Sequence, residues 1–200
     1  MALPATDNFN RANANPIGGN WTTGFNGIAL KLLSNGCMSS ETGGARDNAY
    51  WNADAFDSDH YSQIKIAALN GTSLAQGPTV RVQSGAQTFY QANCSTTTIS
   101  LRKFVAGTIT TIGEDKAIAV AAGDIIRLAV FGSVLEVSLN GIVVRTEQDA
   151  SIPSGGAPGI YMTGNANTIV DDWEGGNVYY SGTAGLTGTA TESITEADIV

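Results

Sequence analysis

The sequence predicts an all-β protein, a two-sheet antiparallel β-sandwich, and three observations carry that prediction. Apolar residues alternate with period two along almost every patterned stretch. About a dozen short candidate strands recur at intervals of roughly ten residues, with no long amphipathic helix between them. The 24 glycines among 200 residues fall with Asn, Ser and Pro between those strands, as turn formers do.

In chain order the strands are expected at Ile28–Leu33, Gln63–Leu69, Thr79–Gln83, Gln87–Asn93, Thr97–Val105 and Thr108–Ile112. A three-strand meander follows. In Asp124–Phe131, Ile126, Leu128 and Val130 face inward while Arg127 and Ala129 face out; in Val134–Asn140, Leu135, Val137 and Leu139 face inward. Gly132-Ser133 joins this pair, and Asn140-Gly141 leads into Ile142–Arg145, because such dipeptides supply the positive φ of tight primed turns. Gly159–Thr163 and Thr168–Trp173 complete the set.

At 42% hydrophobic residues and 200 in length, the chain suffices for one domain with a sizeable core, expected over residues 1–176. Residues 177–200 read as a linker or docking arm, since Ser181–Thr191 is small, Gly/Thr-rich and nearly without core formers. Charge is uneven: residues 1–145 hold all ten Lys and Arg against ten acids, and residues 146–200 hold eight acids and no base. With no basic stripe to neutralise phosphates, nucleic-acid binding is not expected, and no apolar run is long enough to insert in a membrane. The N-terminus lacks the basic and apolar regions of a secretory signal, which implies use without export or a Met1 added to a piece of a longer protein. Cys37 and Cys94 spell neither a zinc site nor a disulfide framework and are expected as buried free thiols.

The order of motifs resembles the concanavalin A-like, laminin-G-like jelly roll of phage structural proteins and bacterial secreted proteins. The resemblance spans roughly residues 7–176 and rests on Asp7-Asn-Phe-Asn-Arg11, Ile17-Gly-Gly-Asn-Trp21, Arg81, Tyr90, Leu101, Lys103, Gly107, Gly123-Asp124, Arg127, Asn140-Gly141, Gly155, Pro158-Gly-Ile160 and Asp171-Asp-Trp173. It implies two curved antiparallel sheets with the N- and C-terminal strands adjacent. It also implies a structural calcium near the paired termini, with Asp7 and Asp171 or Asp172 at the matching positions.

The residues themselves argue against catalysis. Glycosidases place two carboxylates about the scissile bond, and the Glu-x-Asp-x-x-Glu strand of related glycanases is absent; Glu136 reads as a solvated strand residue. His60 is the sole histidine, expected as an exposed loop residue beside Asp57 and Asp59, and no strained serine elbow accompanies it. Phe9, Trp21 and Trp173 are expected in the core, whereas Tyr50-Trp51-Asn52 with the acidic loop 54–60 reads as a rim. Sugars need an aromatic face plus convergent amide and charged groups, and Tyr50, Trp51, Arg81, Tyr90, Gln91 and Asn93 supply those types as the expected glycan set. The expectation is a non-catalytic, lectin-like phage virion component, a head-decoration or fibre protein assembled in the host cytoplasm. Its partners would be other virion or self subunits through the arm, and cell-surface glycan; the alternative is a carbohydrate-binding module of a secreted glycan-degrading protein.

Overall fold

The computed structural model describes residues 3–24, 29–40, 46–69, 76–163 and 168–179. Fifteen strands run in order β1 Ala5–Asp7, β2 Trp21–Thr23, β3 Leu30–Leu33, β4 Gly36–Ser39, β5 Arg46–Trp51, β6 His60–Ala68, β7 Gln76–Val82 and β8 Phe89–Cys94. They continue as β9 Ile99–Val105, β10 Thr108–Thr111, β11 Ile125–Phe131, β12 Val134–Leu139, β13 Ile142–Gln148, β14 Ala157–Thr163 and β15 Ile169–Asn177. All pairings are antiparallel and form two sheets. One has eight strands, ordered β13-β12-β11-β6-β15-β4-β3, with β1 also pairing β15; the other has seven, ordered β10-β9-β8-β7-β14-β5-β2. The terminal strands are adjacent as expected, Ala5 lying opposite Gly175. No helix of the described residues is long and apolar enough to cross a membrane.

The meander forms where the alternation placed it. Ile126, Leu128, Val130, Leu135 and Val137 are fully buried between the sheets. Leu139 pairs with Ile142, so Asn140 and Gly141 are the two turn residues, and both take the positive φ (51° and 80°) of a type I′ hairpin. Asn140 also caps the turn, its side chain accepting from Ile125 N and donating to Asp124.

The interior is closed by the three tryptophans, Trp21 and Trp51 from the seven-stranded sheet and Trp173 from the eight-stranded one. Trp51 stacks on Trp173 at 4.9 Å, and Trp21 meets both edge-on at 5.4 and 4.7 Å. Each indole N–H, which would be costly to bury unpaired, finds an acceptor: Asp7 for Trp21 (2.7 Å), Asp54 for Trp51 (2.8 Å) and Ser62 for Trp173 (2.9 Å). Phe9 packs beside Trp21, so the core role expected for Phe9, Trp21 and Trp173 holds, while Trp51 joins them instead of forming a rim. Cys37 and Cys94 are buried and unbridged, and burial pushes both thiols well above the usual range.

His60 corrects its expectation. It opens β6 and is fully buried, its Nδ1 2.7 Å from Asp57 O and its Nε2 accepting from Arg81 N at 2.9 Å. The Asp57–His60 segment curls into the sheet because this ring satisfies backbone groups at both nitrogens. The arm expected at 177–200 lies, from residue 180 on, outside the described residues.

Candidate functional site

The register turns three of the six expected glycan residues to the outer side of one sheet, where only Tyr50 reaches solvent, and three to the interior. Along β8, Tyr90, Ala92 and Cys94 belong to the core, so Phe89, Gln91 and Asn93 point to the outer face of the seven-stranded sheet. Gln91 lies opposite Thr79, Thr79 opposite Gly159, and Gly159 opposite Tyr50, which sets Tyr50 on the same outer face. Trp51 alternates to the core. Tyr90 points inward too, its hydroxyl 2.8 Å from an Asp149 carboxylate oxygen and accepting from Ile152 N.

Arg81 sits at φ 53°, next to an irregularity in the β7–β14 pairing, and turns its fully buried guanidinium toward the loops. Nη1 donates to Ile152 O (2.6 Å), Nη2 to Gly132 O (2.9 Å) and Nε to Ser58 O (3.0 Å), with Asp59 at 3.3 Å. These contacts clamp three loops together. Arg81, Tyr90 and Trp51 are therefore structural, and a sugar cannot stack on them where they stand.

The outer face itself combines aromatic rings with unpaired amides. Val82, Phe89, Phe104 and Tyr161 form a buried cluster separate from the main core, with Tyr50 packed against it. Phe89 and Phe104 stack at 4.3 Å, and the Tyr161 ring leans on both, at 5.8 and 5.4 Å. Beside them, both side-chain polar atoms of Asn48 and of Gln91, Thr79 Oγ1 and Asn93 Oδ1 are buried with no hydrogen-bond partner among the described residues. Such a group costs about 1–3 kcal/mol when left unpaired, so native interiors rarely hold several in one place. The rim, at Tyr50, Arg102 and Arg46, reaches solvent; the floor at Asn48, Thr79 and Gln91 does not. Asn48, Thr79, Arg46, Arg102 and Tyr161 were not singled out in the sequence; alternation with the apolar residues of their strands places Thr79, Arg102 and Tyr161 here, whereas β5, polar on both faces, gives no such signal for Arg46 and Asn48.

A second concavity, of about 550 Å³, lies on the outer side of the eight-stranded sheet, lined by residues that include Thr6, Asn8, Gln63, Lys65, Asp172 and Glu174. Its charges are already committed. Lys65 pairs with Asp172 at 3.0 Å, Tyr61 donates to Glu174 at 2.6 Å, and Arg127 lies over the Tyr61 ring at 3.6 Å.

The residues expected to hold calcium do not fit that ion. Asp7 takes two hydrogen bonds from Arg11 (2.6 and 2.9 Å), one from Trp21 and one from Phe9 N, leaving its oxygens occupied. Asp171 accepts from Asp172 N, and Asp172 pairs with Lys65. Among the described residues no three His, Cys, Asp or Glu side chains are grouped to share a metal.

No family model matches the sequence, and neither does any curated protein. Solved structures do match. The carbohydrate-binding module CBM66 from Bacillus subtilis aligns with TM-score 0.60 at 16% identity, over 76% of this chain and 91% of that one. The fold is the concanavalin A-like jelly roll. The apo Crh5 transglycosylase aligns with TM-score 0.59 at 14% identity, over 89% of this chain and 85% of that one. The lumenal domain of VIP36, solved with Ca²⁺ and Man3GlcNAc, aligns with TM-score 0.55 at 11% identity, over 82% and 86%. These identities carry the jelly-roll architecture and no residue correspondence.

Proposed function

We propose that this jelly roll is a non-catalytic carbohydrate-binding module whose site is the outer face of its seven-stranded sheet. The observation that carries the reading is the group of buried, unpartnered donors and acceptors at Asn48, Thr79, Gln91 and Asn93, set beside the Phe89–Phe104–Tyr161 cluster. Sugar hydroxyls both donate and accept, which is what an amide left without partners requires, and the Tyr50 ring, packed on that cluster and reaching solvent at the rim, is the aromatic surface open to the apolar face of a pyranose. The opposite concavity differs in that its charged groups, Asp7, Lys65, Asp172 and Glu174, are paired within the protein.

Hydrolysis is not favoured at this face. Asp47, the acid of β5, lies opposite the core residue Met162 and takes hydrogen bonds from Ser39 Oγ and Ser40 N, so it points away from the site. Two carboxylates flanking a bond are what glycoside cleavage needs. A glycan array tests the reading: binding of at least one glycan, reduced at least tenfold by Gln91→Leu, is expected. Absence of any ligand, or binding that Gln91→Leu leaves untouched, contradicts it.

For the biological setting we infer a phage virion component with glycan-directed adhesion, supported by the motif order of residues 7–176 and the Gly/Thr-rich segment 181–191. Co-purification of the chain with virions, abolished by deletion of 181–200 while the sandwich stays folded, is the expected result. A chain recovered only in secreted culture fractions overturns that setting and leaves the glycan reading standing.

A further inference from the structure

Resting on that reading, we infer that the glycan is an acidic one, a uronate-type or otherwise carboxylate-bearing oligosaccharide held at its ends by Arg46 and Arg102. Arg102 lies opposite Gln91 on β9, so the row Arg102, Gln91, Thr79, Gly159, Tyr50 crosses five neighbouring strands on one face. At about 4.8 Å per strand the row spans about 19 Å, the scale of an oligosaccharide. Arg46 lies opposite Thr163, on the same face of β5 as Asn48 and Tyr50, two rows from Tyr50. The unpartnered amides thus sit between two guanidinium groups.

Neither arginine has an ion-pair partner among the described residues, as is also true of Lys31, Lys116 and Arg127, whereas Lys65, Arg11, Arg81, Lys103 and Arg145 each have one; Arg46 and Arg102 are the two that lie on the face with the unpartnered amides. Asp47, adjacent to Arg46 in the chain, faces the core and is bonded there by Ser39 Oγ and Ser40 N. Both guanidinium groups act electrostatically on the Tyr161 hydroxyl, whose proton burial holds until about pH 12 while Arg46 and Arg102 pull the other way. An unpaired guanidinium is the planar, bidentate donor that recognises a carboxylate, and a neutral sugar leaves that capacity unused.

The test is an array of matched acidic and neutral glycans, galacturonan against galactan and sialylated against desialylated chains among them, followed by calorimetry on the best ligand. The expected best ligand is acidic, at least tenfold tighter than its neutral counterpart, weakened by salt, and weakened at least tenfold by Arg102→Gln or by Arg46→Gln. Arg127→Gln, on the opposite sheet, leaves it unchanged. A neutral glycan bound as well or better, or an affinity indifferent to both site variants, overturns the inference and leaves the carbohydrate reading in place. Failure of every glycan to bind overturns both.

Discussion

The two outer faces of the sandwich share strand length and antiparallel register, yet they settle their polar groups in opposite ways. On the eight-stranded sheet Lys65 has Asp172, Tyr61 has Glu174 and Arg127 has the Tyr61 ring. On the seven-stranded sheet Asn48, Gln91, Thr79 and Asn93 are buried without partners, and Arg46 and Arg102 have no ion-pair partner among the described residues. The first face pairs its charges within the protein; the unpaired groups of the second are what the proposed glycan site rests on. The concavity of about 550 Å³ is on the eight-stranded face, where the charges are paired.

The largest expected effect removes the comparison altogether. Trp173 is fully buried and contacts both other tryptophans, so Trp173→Ala should cost about 3–5 kcal/mol in chemical denaturation and loosen both faces together. Survival of either face in that variant would mean the sheets do not share this core.

Acid acts next, through the interior beneath both faces. Burial, with the Arg81 charge, holds His60 down to about 4, although its bond to Asp57 O favours the charged ring. The unfolded chain takes that proton near 6.5, so stability is complete above that pH and falls by about 3 kcal/mol as pH drops from 6.5 to 4. A further loss follows from pH 4 toward 2: burial opposes the Asp149 charge, but bonds from Lys103, Ser151 and Tyr90 outweigh it and hold its carboxyl at about 2. His60→Gln, which can accept from Arg81 N and donate to Asp57 O, should flatten the upper step in denaturation curves; an unchanged step would place the proton elsewhere.

The smaller effects sharpen the contrast because they have opposite signs. Gln91→Leu removes two unpaired buried groups and should raise stability by about 1–2 kcal/mol while glycan affinity falls. Tyr61→Phe removes a made hydrogen bond and should lower stability by about 0.5–1.5 kcal/mol with affinity unchanged. Equal signs for the two would dissolve the distinction between the faces.

The sequence made the meander, the turns and the core aromatics legible because alternation and turn chemistry act locally. It hid β1, β2, β4 and β5. The first two are three residues long, β4 is buried at every position, and β5, Arg-Asp-Asn-Ala-Tyr-Trp, carries polar residues on both faces, so none shows an apolar-polar alternation. The expected site chose residues by type without following their parity. Tyr90 shares a side with Ala92 and Cys94, and Gln91 with Phe89 and Asn93, which divides the six candidates into three interior and three outer. Arg81 escaped even parity, since its left-handed backbone redirects the side chain in a way that no spacing announces.

The most direct measurement is the NMR response of side-chain amides during titration with the best array glycan. The account predicts that the Gln91, Asn48 and Asn93 amide signals shift together and saturate at one affinity, while those of Gln63 and Asn8 on the opposite sheet stay in place. Movement confined to Gln63 and Asn8 would put the ligand in the other concavity and contradict it.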